Sequence, residues 1–144
     1  MDWRQRFPVL AAGLWWGSLT AIGFIAVPLL FATLPTPALA GRVAARLFTA
    51  QAWVSLGCGA LLLLAARGRA ESARMDWAGG AIGFVLAGLL CALLVEFAIA
   101  PRIVARENLR LWHGAGSALY VLQWVCALVV LWRVGRPVNP GGPS

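Results

Sequence analysis

In the stretch LCALLVEFAIAPR, Leu90 to Arg102, a single carboxylate, Glu96, stands among residues that otherwise resemble hydrocarbon. A charge in such surroundings must be paired, hydrated or neutralised, because an unpaired ion at the centre of a bilayer costs at least about 2 to 3 kcal/mol. Stepping back along the helix by four and eight residues finds Ala92 and Gly88, so Glu96 is expected to point toward a contact with another helix. The residues able to answer it are basic. Arg42 and Arg46 share a helical stripe with Thr49 and Trp53, while Arg106, Arg110, His113, Ser117 and Tyr120 follow helical spacing further on. With Arg102, these predict a polar cluster of Glu96, Arg42, Arg46, Arg102, Arg110 and His113. In it, Glu96 pairs with Arg46 or Arg110, and His113 serves as a hydrogen-bonding or titrating partner. Such a cluster could fix how helices pack, or bind an ion and pass a proton.

Other chemistries find less support. His113 is the only histidine, so a haem held by the protein from both sides and a conventional metal site are both disfavoured, and no cofactor or metal is expected. No Ser, His and Asp set and no phosphate-cradling glycine loop is present. HGAGS at 113–117 has the look of an oxyanion sequence but falls at a helix entry, where glycines serve packing. No catalytic residue is therefore assigned. Cys58, Cys91 and Cys126 each lie within an apolar run and form no CxxC pair, which fits small apolar packing better than a disulfide framework. Cys58 and Cys126, at similar expected depth, leave a redox or soft-metal reading open.

The elements that must position these residues follow from composition. Of the 144 residues, 61% are hydrophobic and 12% charged, and the mean hydropathy is +0.81, outside the balance of a soluble domain. The net charge of +7 comes from arginines grouped between apolar runs, which excludes a nucleic-acid reader and points to lipid headgroups. A bilayer core of about 30 Å needs about 20 apolar residues in a helix. Four segments qualify: 9–34, 47–66, 77–100 and 111–132. The expected fold is all-α, an integral membrane four-helix bundle over 1–136, followed by a disordered tail at 137–144 rich in Pro and Gly. PALA before Gly41 resembles a signal-peptidase site, but the preceding apolar stretch is too long for a signal sequence and no cleavage is expected.

With four spans both termini share a side. Arg4, Arg6, Arg67, Arg69, Arg74, Arg133 and Arg136 fall there, against Arg42, Arg46, Arg102, Arg106 and Arg110 opposite, which favours cytoplasmic termini. Trp3, Trp77, Trp112 and Trp132 fall at span boundaries, where amphipathic rings settle. Small residues at four-residue spacing should let the helices approach: Gly13, Gly17 and Ala21; Ser55 and Gly59; Gly79, Gly83 and Ala87; Gly114 and Ala118. Pro28 removes a backbone hydrogen bond within the first run, either as a tolerated kink or by opening a small cavity.

The order of WWGS at 15–18, AVPLLFATLP at 26–35, AGRVAARLF at 40–48, PR at 101–102 and WHGAGS at 112–117 resembles the transmembrane protein 205-like family, whose bacterial members are a membrane domain of unknown function. The resemblance implies four spans, with Pro-x-x-Phe, Ala-Gly, Pro-Arg and His-Gly elements at one membrane face. Here these are Pro28 and Phe31, Ala40 and Gly41, Pro101 and Arg102, and His113 and Gly114. It implies no reaction, cofactor or substrate. The expectation is a non-enzymatic inner-membrane protein, acting as an accessory subunit or small-ligand binder. The alternative is a transporter of a small solute, ion or proton that works as an oligomer. Expected partners are the lipid bilayer and either a second copy or another membrane protein, with no nucleic acid.

Overall fold

The computed structural model describes residues 3–67 and 76–136 and, among them, holds helices only. The first span comprises α1 (Trp3–Thr20), a π-helical segment (Ala21–Ala26) and α2 (Val27–Thr33), and the second is α3 (Pro37–Arg67). The third comprises α4 (Asp76–Leu93), a second π-helical segment (Leu94–Ile99) and α5 (Ala100–Val104), and the fourth is α6 (Leu109–Val134). All four are long and apolar enough to cross a membrane. The expected disordered tail at 137–144 lies outside the described residues, as do Arg69 and Arg74, the side chains of Trp3, Arg4 and Trp77, and the surroundings of Gly79.

The second helix starts at Pro37 rather than at the apolar run from Leu47, so most of PTPALAGRVAAR is helix and not connection. The reason is local. Pro37 needs no partner for a missing N–H, while the Thr36 hydroxyl accepts from Leu39 N at 3.3 Å and the Thr36 carbonyl accepts from Leu39 and Ala40 at 3.1 Å. Arg42 and Arg46 therefore stand on a rigid helix. Between the third and fourth spans the chain turns tightly. Glu107 N donates to Arg102 O and Arg106 N to Ile103 O, both at 3.1 Å, with Arg106 left-handed at φ 56° where glycine is usual. Asn108 then caps α6, its side chain accepting from Leu111 N at 3.4 Å.

Each π segment ends two residues before a proline, Pro28 in one span and Pro101 in the other. Proline cannot donate to the carbonyl four residues back, and its ring crowds that carbonyl. Widening the turn before it shifts the ladder by one residue: Val27 N donates to Ile22 O and Ala100 N to Val95 O, each five residues back. Pro28 and Pro101 are both accommodated inside continuous spans.

Each span packs against its two neighbours in a ring, the first and third each touching the second and fourth. Trp15, fully buried, bridges the diagonal to Gly88, where a Cβ would stand 2.7 Å from the indole ring. Around Trp15 the core holds Ala11, Ala12, Leu19, Cys58, Leu62, Val85, Ala127 and Val130. Gly59 takes Leu89 and Gly23 takes Tyr120 in the same way. Not all the expected small residues serve this purpose. A Cβ placed on Gly17, Gly83 or Gly114 would meet no neighbouring atom within 4 Å, and Ala87 and Ala118 are exposed. Large apolar side chains instead crowd the outside, among them Leu14, Ile25, Trp53, Leu64, Phe97 and Trp132, each more than 60% exposed. That inversion fits a hydrocarbon surround.

Gly88→Leu should therefore cost about 1 to 3 kcal/mol through overpacking against Trp15, whereas Gly83→Leu should be close to neutral. Unfolding of both variants in mixed detergent micelles measures the difference, and equal stability would refute the diagonal contact.

Candidate functional site

Glu96 lies in the second π segment, roughly 9 Å inside Arg102 along the helix at about 1.5 Å per residue. Its carboxylate accepts the Thr49 hydroxyl, at 3.0 Å to one oxygen and 3.2 Å to the other, joining the third span to the second. Thr49 is set apart from Thr20 and Thr33, whose hydroxyls return to the carbonyls of Trp16 and Leu29 at 2.8 and 2.7 Å. The expected ion pair is replaced by this contact with a neutral group: among the described residues neither Arg46 nor Arg110 reaches Glu96. Arg46 stands one turn nearer the membrane surface on an exposed position, and Arg42, Arg106, Arg110 and His113 are likewise exposed. Long basic side chains near helix ends extend toward water and headgroups rather than back into hydrocarbon. Arg102 is drawn onto the Trp112 ring, 4.3 Å from its centre.

All five arginines of this end and His113 thus lie at one end of the bundle without converging on Glu96. Pro28 and Phe31, Ala40 and Gly41, Pro101 and Arg102, and His113 and Gly114 fall at the same end. Ala40 is buried, Gly41 half-buried, and Pro28, Phe31, Pro101, Arg102, His113 and Gly114 are exposed.

A second polar group lies beyond what hydropathy and charge predict. Gln51, Ser55 and Gln123 are at most 3% exposed and sit in the interior of the bundle. Gln51 Nε2 donates to Ser18 Oγ at 3.0 Å and Ser55 Oγ at 3.3 Å, and Gln123 Nε2 donates to Ser55 Oγ at 2.8 Å. Ser18 and Ser55 have already given their protons to the carbonyls of Trp15 and Gln51, both at 2.9 Å, so their oxygens can only accept. This fixes the orientation of the Gln51 amide. The network ties the first, second and fourth spans, and two further bonds support it: Tyr120 to the Leu19 carbonyl and Trp124 Nε1 to Thr20 Oγ1, both 2.8 Å. Tyr120 also meets Phe48 edge-on at 5.3 Å.

Gln51 Oε1 has no hydrogen-bond partner in the protein, as is also true of Trp15 Nε1 and Trp16 Nε1, and Gln51 lines a cavity of about 10 Å³ with Phe48, Ala52, Ala92, Val95, Tyr120 and Gln123, room for about one water. The cavity lies away from Pro28. Cys58, Cys91 and Cys126 are buried and free, and the described residues contain no group of three metal-ligating side chains. Chemically, the interior holds a network of neutral hydrogen-bonding groups, the arginines of this end lie on the surface, and Glu96 stands between them.

Residues 10–111 match the family model of a domain of unknown function, DUF4149. The chain belongs to the DUF4149 family. The match covers the first three spans and the start of the fourth, including Glu96 and Thr49 but not Gln123. Nothing among proteins of curated function or among solved structures matches this DUF4149 chain.

Ser55→Ala removes the acceptor shared by Gln51 and Gln123. It should lower bundle stability by about 1 kcal/mol, within the range of interhelical hydrogen bonds in membranes. Glu96→Gln keeps an acceptor for Thr49 and should change stability by less than about 0.5 kcal/mol. Denaturant titration of the parent protein and both variants in micelles checks the ranking, and a larger loss in Glu96→Gln than in Ser55→Ala would show that the Glu96 charge matters more.

Proposed function

We propose that this multi-pass membrane protein is a non-enzymatic accessory subunit or small-ligand binder of the inner membrane, working through the end that bears Arg42, Arg46, Arg102, Arg106 and Arg110, with both termini in the cytoplasm. The observation that carries the reading is the contrast between that end and the interior. Arg42, Arg46, Arg106 and Arg110 stand exposed at one end, while Gln51, Ser55 and Gln123 are linked by hydrogen bonds in the interior beside a cavity no larger than a water. Exposed guanidiniums at a membrane surface recruit acidic partners or anionic ligands. The excess of arginine on the terminal side supports the orientation. Kinship with the transmembrane protein 205-like family is supported by the order of the Pro-x-x-Phe, Ala-Gly, Pro-Arg and His-Gly elements.

A second reading draws on Glu96, because π-helical turns gather at functional sites and this carboxylate sits in one. In that reading an oligomer moves a small solute, an ion or a proton. Flux into proteoliposomes decides it: uptake no faster than in empty vesicles removes the transporter, and uptake abolished by Glu96→Gln supports it. For the accessory reading, purification of the native protein in mild detergent should retain a stoichiometric companion that is lost when Arg42, Arg46 and Arg110 are changed together to Glu. A chain that runs alone, or a companion indifferent to these charges, would overturn it.

A further inference from the structure

At the opposite end of the bundle the fourth span carries a groove of about 450 Å³ lined by Leu128, Val129, Trp132, Arg133 and Arg136. These residues form one helical stripe, and their order along it is a gradient. Leu128 and Val129 lie deepest, Trp132 and Arg133 one turn further out, and Arg136 at the end of the described chain. Acyl chain, glycerol and phosphate follow the same order across one leaflet of a bilayer.

The cations are held in place rather than loosely tethered. The guanidinium of Arg133 crosses to the third span, over the Phe84 ring at 5.2 Å, in space left by the missing side chain of Gly80. Arg136 lies over Trp132 at 6.0 Å. Trp132 is 66% exposed, an amphipathic ring at the depth where membrane tryptophans settle. Neither arginine has an acidic partner among the described residues.

We propose that this groove is a binding site for one anionic phospholipid, its phosphate between Arg133 and Arg136 and the upper part of one acyl chain along Leu128 and Val129. The chemistry recognised is a phosphate diester, and the apolar floor favours a lipid over a free anion. The site needs only that the protein reside in a bilayer, so it stands apart from the accessory and transporter readings.

Native mass spectrometry of the full chain, released from micelles doped with phosphatidylglycerol or phosphatidylcholine, tests it. One phosphatidylglycerol should be retained in preference to phosphatidylcholine. Each arginine near a surface contributes about fivefold, so Arg133→Ala with Arg136→Ala should weaken retention by about twenty-five-fold at low salt. Val129→Trp fills the groove from a partly exposed position without touching charge and should also reduce retention. Equal retention of the two lipids, or full retention by the Arg133 and Arg136 double variant, would overturn the proposal. Displacement of the lipid by millimolar inorganic phosphate would overturn it too, by showing a free-anion site.

Discussion

Hydrocarbon around the bundle leaves close contact and hydrogen bonding as the main forces that can hold the four spans together, since an apolar side chain gains little by leaving lipid for protein. The interior accordingly mixes alanines, cysteines and glycines with a few aliphatic side chains, Leu19, Leu62, Val85 and Val130, around the fully buried ring of Trp15, while many larger apolar side chains face out. Gly88 decides how closely the diagonal helices approach, because only a residue without Cβ admits the indole there. Once Trp15 is seated, Ser18 on the next turn stands opposite Gln51, and the interior network can close.

The same constraint explains why a buried network and a partly exposed carboxylate coexist. In hydrocarbon each polar group must find a partner within the bundle or reach the surface. Gln51, Ser55 and Gln123 do the former with neutral groups, which avoids the desolvation cost of burying ions. The arginines do the latter. Glu96 lies between the two regimes, too deep for the guanidiniums to fold back upon it and close enough to the second span to take the hydroxyl of Thr49.

What a sequence discloses here depends on the range of the physics involved. Four spans are legible because length and hydropathy are properties of a run of residues, and the inversion of large and small side chains does not disturb them. The start of α3 at Pro37 escapes hydropathy, which falls at Arg42 and Arg46 although the helix, capped by Thr36, continues through them. Glu96 does meet another helix, but charge points to arginine when the partner is a threonine on the same stripe. Ser55 passes for a small packing residue, and its spacing of four from Gln51 is the available signal for the network. Small-residue spacing sorts the glycines only in part: Gly88, on the face of Ala92 and Glu96, does lie under Trp15, whereas Gly83, five residues earlier, is turned outside by the rotation of the third span.

Toward the end that bears Arg42, Arg46 and Arg110, side-chain direction is reset by the prolines. A π turn accommodates one extra residue and so rotates everything beyond it relative to an unbroken α-helix. In the first span the turn before Pro28 puts Gly23 beneath Tyr120, and in the third the turn before Pro101 carries Glu96 round to Thr49. The two turns hold the same offset from their prolines, and each proline-bearing span is followed by one with a glycine in its first turns, Gly41 or Gly114. The bundle therefore reads as two helical hairpins of similar build set side by side, each with its wide turn toward the end where the hairpin reverses. The common register follows from the prolines, each of which sets its wide turn at the same offset, so what the two hairpins share is a proline placed where the resulting rotation brings Gly23 to Tyr120 in one and Glu96 to Thr49 in the other.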